Sequence, residues 1–411
     1  MSIITKCRSC GSSDLTTILS LGSQYPSNFI ELNSTPNKKE QIPLELLFCE
    51  NKNCGLLQLK HTVSRESLYK EYWFRSGLNE QMADALNNIT KNVEKRISIT
   101  ENDIVLDIGC NDGTLLRSYR SKARLVGFEP ASNLVNEAKK DTNLIINDFF
   151  SSKEFVRHLP NEKAKVITSI AMFYDLENPN SFVNDIVNCL DEDGIWVIQM
   201  AYLIPMLELN AFDNIVHEHL EYWSLKSLKY LLEIHDLEIF DVELNDVYGG
   251  SFRIFVKTKN NTKLNVENSV NEFLRNEDKF GLEKKETYLN FAERVNALKN
   301  QLNDFINQEI SRGKSIYAYG ASTKGNTLLQ FYDLNKNSIP KVVDRDSKKF
   351  GKMTIGSNIP VIPEEQARQE KPDYLLILPW HLVNFFKERE HEFLKNGGKF
   401  IVPLPEFKII P

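Results

Sequence analysis

Short apolar runs alternate with amphipathic stretches through most of this chain, and the change of period marks the elements. Ile104 to Ile108 is apolar but for Asp107, breaks at Gly109 and Gly113, and turns amphipathic from Thr114, which predicts strand, tight turn and helix. Runs of the same kind recur at Leu125–Phe128, Leu144–Asp148, Val166–Ile170 and Gly194–Met200, with helical stretches between them. Buried strands alternating with helices predict a parallel, doubly wound sheet. Leu237–Leu244 and Gly250–Val256, joined through Tyr248-Gly-Gly, predict a closing strand pair. From Asn260 to about Arg312 the chain is charged and nearly free of glycine. Leu289, Phe291, Val295, Leu298, Leu302 and Phe305 recur there at spacings mostly near three and four, the stripe of a helical arm and too short for a coiled coil. A second α/β series then begins: a strand at Ser315–Gly320, a turn at Ala321–Asn326, a helix from Thr327, and strand runs at Lys341–Arg345, Ile359–Ile362, Tyr374–Leu378 and Lys399–Pro403.

At 411 residues the chain is too long for one ordinary core. The expected division is a zinc-binding module at 1–70, a cofactor domain at 71–259, the arm at 260–312 and a second α/β domain at 313–411. Ahead of the central sheet, Leu44–Cys49 and Leu56–Leu59 read as short strands, and Asn79 to about Ile97 has helical spacing. No apolar run approaches the roughly 20 residues that a bilayer requires, and the first residues are no secretory signal, so a cytoplasmic location and no membrane partner are expected. A net charge of −6 argues against a surface built to grip nucleic acid.

Of six cysteines, Cys7, Cys10, Cys49 and Cys54 fall at C-x2-C and C-x4-C spacing, each pair followed by a turn-forming glycine. Two such knuckles close a four-thiolate zinc site, and with every position taken by protein the zinc is structural.

Gly109 and Gly113 allow backbone to approach a ligand, and a helix opening at Thr114 would present free N–H groups there. The second strand ends in Glu129, where a carboxylate suits a ribose diol. Asn111 lies in the same turn, Asp148 and Phe149 are placed for an adenine edge and face, and Ser169, in the fourth strand, is a further candidate for the cofactor site. Gly-Cys-Asn-Asp-Gly-Thr is too loose for the G-x-G-x-x-G dinucleotide fingerprint. With Asp107 ahead of the first glycine, it resembles the D/E-x-G-x-x-x-G motif of class I S-adenosylmethionine-dependent methyltransferases. In the second α/β series Gly325 is followed by Asn326 and Thr327, which misplaces the lysine and hydroxyl of a P-loop. A turn holding Ser322, Thr323, Lys324 and Asn326 still suits a diphosphate, and Asp344 ends the next strand where a ribose would lie. Phe74 and Arg75, in an aromatic group, are candidates for a substrate mouth.

Val216-His-Glu-His-Leu-Glu-Tyr222 places two histidines and a carboxylate together in a chain with seven histidines. His217, Glu218 and His219 are candidates for proton abstraction from a carbon acid, with Tyr222 close by on the substrate side. The spacing is not that of the H-E-x-x-H zinc motif.

The knuckles, Leu106-Asp-Ile-Gly-Cys-Asn-Asp-Gly-Thr-Leu, Val216-His-Glu-His-Leu-Glu-Tyr and Tyr319-Gly-Ala-Ser-Thr-Lys-Gly-Asn-Thr-Leu-Leu together resemble the sugar C-methyltransferases of branched-chain deoxysugars. That resemblance implies a zinc-binding N-terminal domain, a central class I methyltransferase domain of Rossmann-like α/β fold, and a second Rossmann-like domain holding a nucleotide-linked keto-sugar. It also implies His219 as the base, with Glu218 beside it. Two departures stand out: the family commonly has Tyr where Val216 stands, and Asn-Asn-Val-Leu-Ala-His where Ile170-Ala-Met-Phe-Tyr-Asp175 stands. The expected activity is C-methylation through an enolate, by a monomer. O- or N-methylation, and a zinc ribbon without catalysis, are the alternatives.

Overall fold

The computed structural model describes all residues except 33, 37–39, 70–74 and 79, together with all side chains of the described residues except those of 67, 78 and 248. Phe74 therefore lies outside the described residues.

The central sheet is built from β1 (Ile104–Ile108), β2 (Arg124–Phe128), β3 (Leu144–Ile146), β4 (Ala164–Ile170), β5 (Leu190–Ala201), β6 (Leu237–Asn245) and β7 (Ser251–Thr258). Its order is β3-β2-β1-β4-β5-β7-β6, with the first five strands parallel and β7 antiparallel to both its neighbours. Every residue of β1 is buried, the property of a strand covered on both faces. Ile104, Leu106 and Ile108 pack into one layer with Phe128 and Trp196, while Val105 points into the opposite layer with Ile89, Val93 and Leu116. The third strand ends earlier than its apolar pattern suggests, leaving Asp148 outside it.

A second sheet comprises β8 (Ile316–Tyr319), β9 (Val342–Asp344), β10 (Val361–Pro363), β11 (Tyr374–Ile377), β12 (Lys399–Val402) and β13 (Lys408–Ile410) in the order β10-β9-β8-β11-β12-β13. Here the expected turn at 321–326 is corrected. The helix runs over Thr323–Phe331, because the Ser322 hydroxyl caps it by accepting the Gly325 N–H at 3.0 Å, so Lys324 and Asn326 stand in its first turn.

The cysteine-bearing segment makes its own sheet from Leu15–Gln24, Ile42–Cys49 and Leu57–Leu59. One edge strand of that sheet is Glu221–Tyr222, which belongs to the central domain in sequence. Another N-terminal strand, Phe29–Glu31, pairs with Lys352–Thr354 of the C-terminal region. The arm consists of two helices, Asn268–Phe280 and Lys285–Ser311. The longer one buries Tyr288, Phe291, Val295, Leu298 and Leu302 in a core that continues from the zinc-module sheet into the C-terminal sheet. Leu289, expected in this stripe, is 37% exposed; Tyr288, one residue earlier, takes the inward position against Phe48. The arm is thus a wall shared by the first and last parts of the chain.

Candidate active site

The first functional feature is the cysteine cluster. The four Sγ atoms lie within 4.8 Å of one another, with Cys7 and Cys54 at 3.8 Å and Cys10 and Cys49 at 3.5 Å. Tetrahedral zinc with bonds of about 2.3 Å separates its sulfurs by about 3.8 Å, so the four thiolates fit the ion without rearrangement. Each knuckle closes on a backbone bond, Gly11 N–H to Cys7 O and Gly55 N–H to Asn51 O. No position is left for water, so the zinc is structural.

The second feature is a cavity of about 780 Å³ at the carboxyl edge of the central sheet, within the range of cofactor pockets. Asp107, Gly109, Asn111, Glu129, Asp148 and Phe149 line it, as the sequence suggests. Gly109 has φ +74°, and a Cβ there would lie 3.6 Å from Met172. Glu129 is 5% exposed and accepts the Asn111 N–H at 2.7 Å and the Ala131 N–H at 2.8 Å, so it holds the turn in shape. Each of its oxygens keeps a second lone pair for a ligand hydroxyl. Asp107 accepts from the Thr168 hydroxyl at 2.5 Å. Burial pushes both carboxyls up to about 7.

Other expectations change. The Thr114 N–H is not free: Asp112 accepts it at 3.2 Å. Gly113 does not line the cavity; a Cβ there would lie 2.9 Å from Ala138 O, so it serves close backbone packing. Ser169 is fully buried and accepts from the Trp196 indole at 3.1 Å, facing away from the ligand space. Arg75 is outside the cavity and within electrostatic reach of Glu137. The aromatic group expected at a substrate mouth contributes Tyr69 and Ser76 to the wall, while Thr62, Val63, Arg65 and Glu66, just before it, are not anticipated by the sequence. Arg65 lies 4.3 Å over the Phe149 ring. Nothing local in that segment announces the role, because its partner ring is 84 residues away in sequence.

The third feature is the segment from Phe212 to Tyr222, clamped from two sides. Leu59 N–H donates to Leu220 O at 2.8 Å and Leu57 pairs with Tyr222 on the zinc-module side. On the other side, the Trp380 indole donates to Asp213 at 3.0 Å. His217 is 4% exposed and its Nε2 bonds Ile42 O at 3.0 Å, which ties its ring to the zinc module. His219 Nδ1 bonds Asn214 O at 2.9 Å, and its ring lies 4.3 Å from that of Tyr174. A carbonyl oxygen only accepts, so Nδ1 carries the proton and Nε2 holds the lone pair. Burial and the Lys324 ammonium press His219 down to about 3. Among the described residues Glu218 Oε2 is buried without a hydrogen-bond partner, and burial lifts its carboxyl to about 7. Tyr222 is 6% exposed with its hydroxyl unpartnered among the described residues, and Asp175, in the cavity wall, is in electrostatic contact with Glu218.

In the C-terminal crevice the predicted residues are mostly engaged within the protein. Ser322 caps its helix, and Asn326 donates to Ser27 Oγ and Asn28 O, both at 3.0 Å. Asp344 accepts the N–H groups of Ala321 and Asp346, both at 2.8 Å, and Lys349 at 3.3 Å. Thr323 is exposed. Lys324 points inward toward Asp213 and His219.

A parallel sheet closed by an antiparallel pair, with a glycine turn and an acid facing one cavity, defines a methyltransferase domain, here joined to a structural zinc module. The methyltransferase domain family matches residues 74–242, a zinc binding domain family matches 7–69, and the C-methyltransferase C-terminal domain family matches 246–405. C-methyltransferase NovU of Streptomyces niveus is 31% identical over 410 residues, covering 99% of this chain and 97% of that protein. The chain therefore belongs to the C-methyltransferase family, and its cofactors are S-adenosylmethionine and structural zinc. An uncharacterised methyltransferase of Schizosaccharomyces pombe is 29% identical over 72 residues, 17% of this chain and 27% of that one. Among solved structures, plantazolicin methyltransferase BpumL in complex with SAH is 15% identical at a TM-score of 0.34, covering 42% of this chain and 82% of that one.

Proposed function

We propose that the acceptor is a nucleotide-linked keto-deoxysugar, methylated at the carbon next to its carbonyl, with His219 as the base. The observation that carries this reading is the His219 ring: its Nδ1–H is fixed on Asn214 O, and the lone pair of Nε2 is left for an incoming C–H. Abstraction there leaves an enolate whose carbon is the nucleophile. S-adenosylmethionine supplies the electrophilic methyl. Asp107, Gly109, Asn111 and Glu129 shape its site, and Asp148 and Phe149 flank the adenine end. In this reading the C-terminal α/β domain at 313–411 carries the nucleotide.

Glu218 is the second candidate base, favoured by an Oε2 without a hydrogen-bond partner among the described residues and by a carboxyl lifted to about 7, near the working range of a general base. The test is deuterium uptake from D2O at the carbon alpha to the ketone of thymidine diphosphate-linked 4-keto-6-deoxyglucose, followed by NMR. His219→Asn should slow uptake by about 100-fold or more, with S-adenosylhomocysteine affinity retained. A rate that climbs through pH 7 in the wild type and collapses in Glu218→Gln moves the role to Glu218. No uptake by the wild type removes the keto-sugar reading.

A further inference from the structure

The C-terminal domain sends one cation into the region of the base. Lys324 stands in the first turn of the helix Thr323–Phe331, two residues after its Ser322 cap, where the sequence suggested a phosphate grip. Its side chain instead runs inward to a cavity of about 10 Å³ shared with Tyr202, Asn214, Gly250, Trp380 and His381. That space fits about one oxygen-sized probe, and Asn214 in its wall is the residue whose carbonyl holds His219. Among the described residues no hydrogen bond or ion pair engages the Lys324 ammonium. Its charge is balanced at longer range by Asp213, whose Oδ1 is buried and unpartnered while Oδ2 takes the Trp380 indole N–H. An ammonium poorly exposed to water and bonded to nothing is a costly arrangement, and it is relieved when an anion forms beside it.

We infer that Lys324 is a catalytic residue whose ammonium stabilises the enolate oxygen, rather than a lysine that grips the acceptor's diphosphate. The inference rests on the keto-sugar reading above. In the step it serves, the C–H bond breaks and its proton goes to the base. The electron pair moves into the new carbon–carbon double bond while the carbonyl π pair settles on oxygen, facing Lys324. The enolate carbon then bonds the methyl carbon as the methyl–sulfur bond breaks, its electrons remaining on sulfur. Lys324 keeps its protons throughout, its charge balanced by Asp213, so the positive charge is present before the negative one develops. A lysine from the nucleotide-side domain at this position also makes turnover depend on that domain being docked.

Saturating deuterium-uptake rates with the same keto-sugar separate this role from phosphate binding, with thymidine diphosphate titrated alongside. Lys324→Met should lose about 100-fold or more in the saturated rate while thymidine diphosphate affinity changes less than about threefold. Lys324→Arg, which keeps the charge, should recover at least about tenfold of that loss, and Lys324→Ala should gain rate with added methylammonium. S-adenosylhomocysteine binding reports that each variant is folded. A saturated rate within about threefold of wild type, coupled with weakened thymidine diphosphate binding, returns Lys324 to the phosphate and overturns the inference. A full loss in Lys324→Arg with no methylammonium rescue in Lys324→Ala also overturns it. Absence of uptake in the wild type defeats the keto-sugar reading first, and this inference with it.

Discussion

The two parallel sheets carry the same device at their first strand and put it to different ends. In each, a strand ends in a glycine of positive φ, Gly109 at +74° and Gly320 at +90°, and the neighbouring strand ends in an acid. Glu129 accepts N–H groups from Asn111 and Ala131, and Asp344 accepts them from Ala321 and Asp346, so each carboxylate ties its turn to the next strand. What differs is the opposite wall. Facing Gly109 there is a side chain at van der Waals distance and a large cavity beyond. Facing Gly320 is Pro379, 2.5 Å from where a Cβ would stand, while Lys349 closes over Asp344 and Ala321 O. The acid at the strand end is therefore a turn staple in both sheets, and only at Glu129 does the far side open on a cavity.

Substituting the two glycines gives the largest contrast. Gly109→Val forces a β-branched residue to positive φ and fills the mouth of the cofactor cavity. Calorimetry should show S-adenosylhomocysteine affinity reduced by roughly 100-fold, more than the ~1–2 kcal/mol backbone cost alone would give. Gly320→Ala drives a methyl into Pro379 and should cost about 2–4 kcal/mol of stability in urea unfolding, with cofactor affinity intact in the folded protein. Equal loss of cofactor binding in both variants would erase the distinction between the crevices.

The acids come next. Glu129→Gln removes a charge-assisted acceptor and should weaken S-adenosylhomocysteine by about 1–3 kcal/mol. Asp344→Asn should lower the unfolding midpoint by a comparable free energy and leave that affinity alone. An Asp344→Asn variant that binds the cofactor poorly would show that the two turns are coupled.

These contrasts also explain what could be read from the residues in advance. Strand and helix periods are local, so the strands from Ile104 to Met200 and the knuckles at Cys7 and Cys49 stand out at once. Asp107, Gly109, Asn111 and Glu129 are legible because one turn and its neighbouring strand bring them together. Ser322, Asn326 and Asp344 have the right chemistry, but their partners Gly325, Ser27 and Lys349 engage them, and Ser27 is some 300 residues from Asn326. The roles of His217 and His219 diverge for the same reason. Adjacent types in one motif, they are separated by what each ring meets, Ile42 O in one case and Asn214 O in the other. The pairing of Glu221–Tyr222 with Leu57–Gln58 has no local signal, since two residues are too few to show a period.

The smallest effect concerns pH and sharpens the role of Glu129. Its carboxyl, raised from 4.5 to about 7 by burial, keeps its proton in the folded protein while the unfolded chain has released it. Between about pH 4.5 and 7 the native state binds the extra proton, so this group's contribution to stability falls as pH rises, and the loss is complete above pH 7. Asp107, raised to about 7, and Glu218, also to about 7, act in the same direction. His217 and His219, held down to about 4 and about 3, act in the other, because below about 6.5 the unfolded chain takes up protons that the buried rings refuse. The total slope is a difference of opposing contributions, so the informative quantity is wild type minus Glu129→Gln. That difference should drift against the wild type from pH 5 to 7 by up to about 1.4 kcal/mol per pH unit and then level off. S-adenosylhomocysteine affinity should move the opposite way in the wild type, tightening as pH rises through 7, because the ionised carboxylate is the better acceptor for ribose hydroxyls; Glu129→Gln should show a flat profile over the same range. Parallel affinity profiles for the two proteins would mean that Glu129 holds its turn, as Asp344 does, without touching the cofactor.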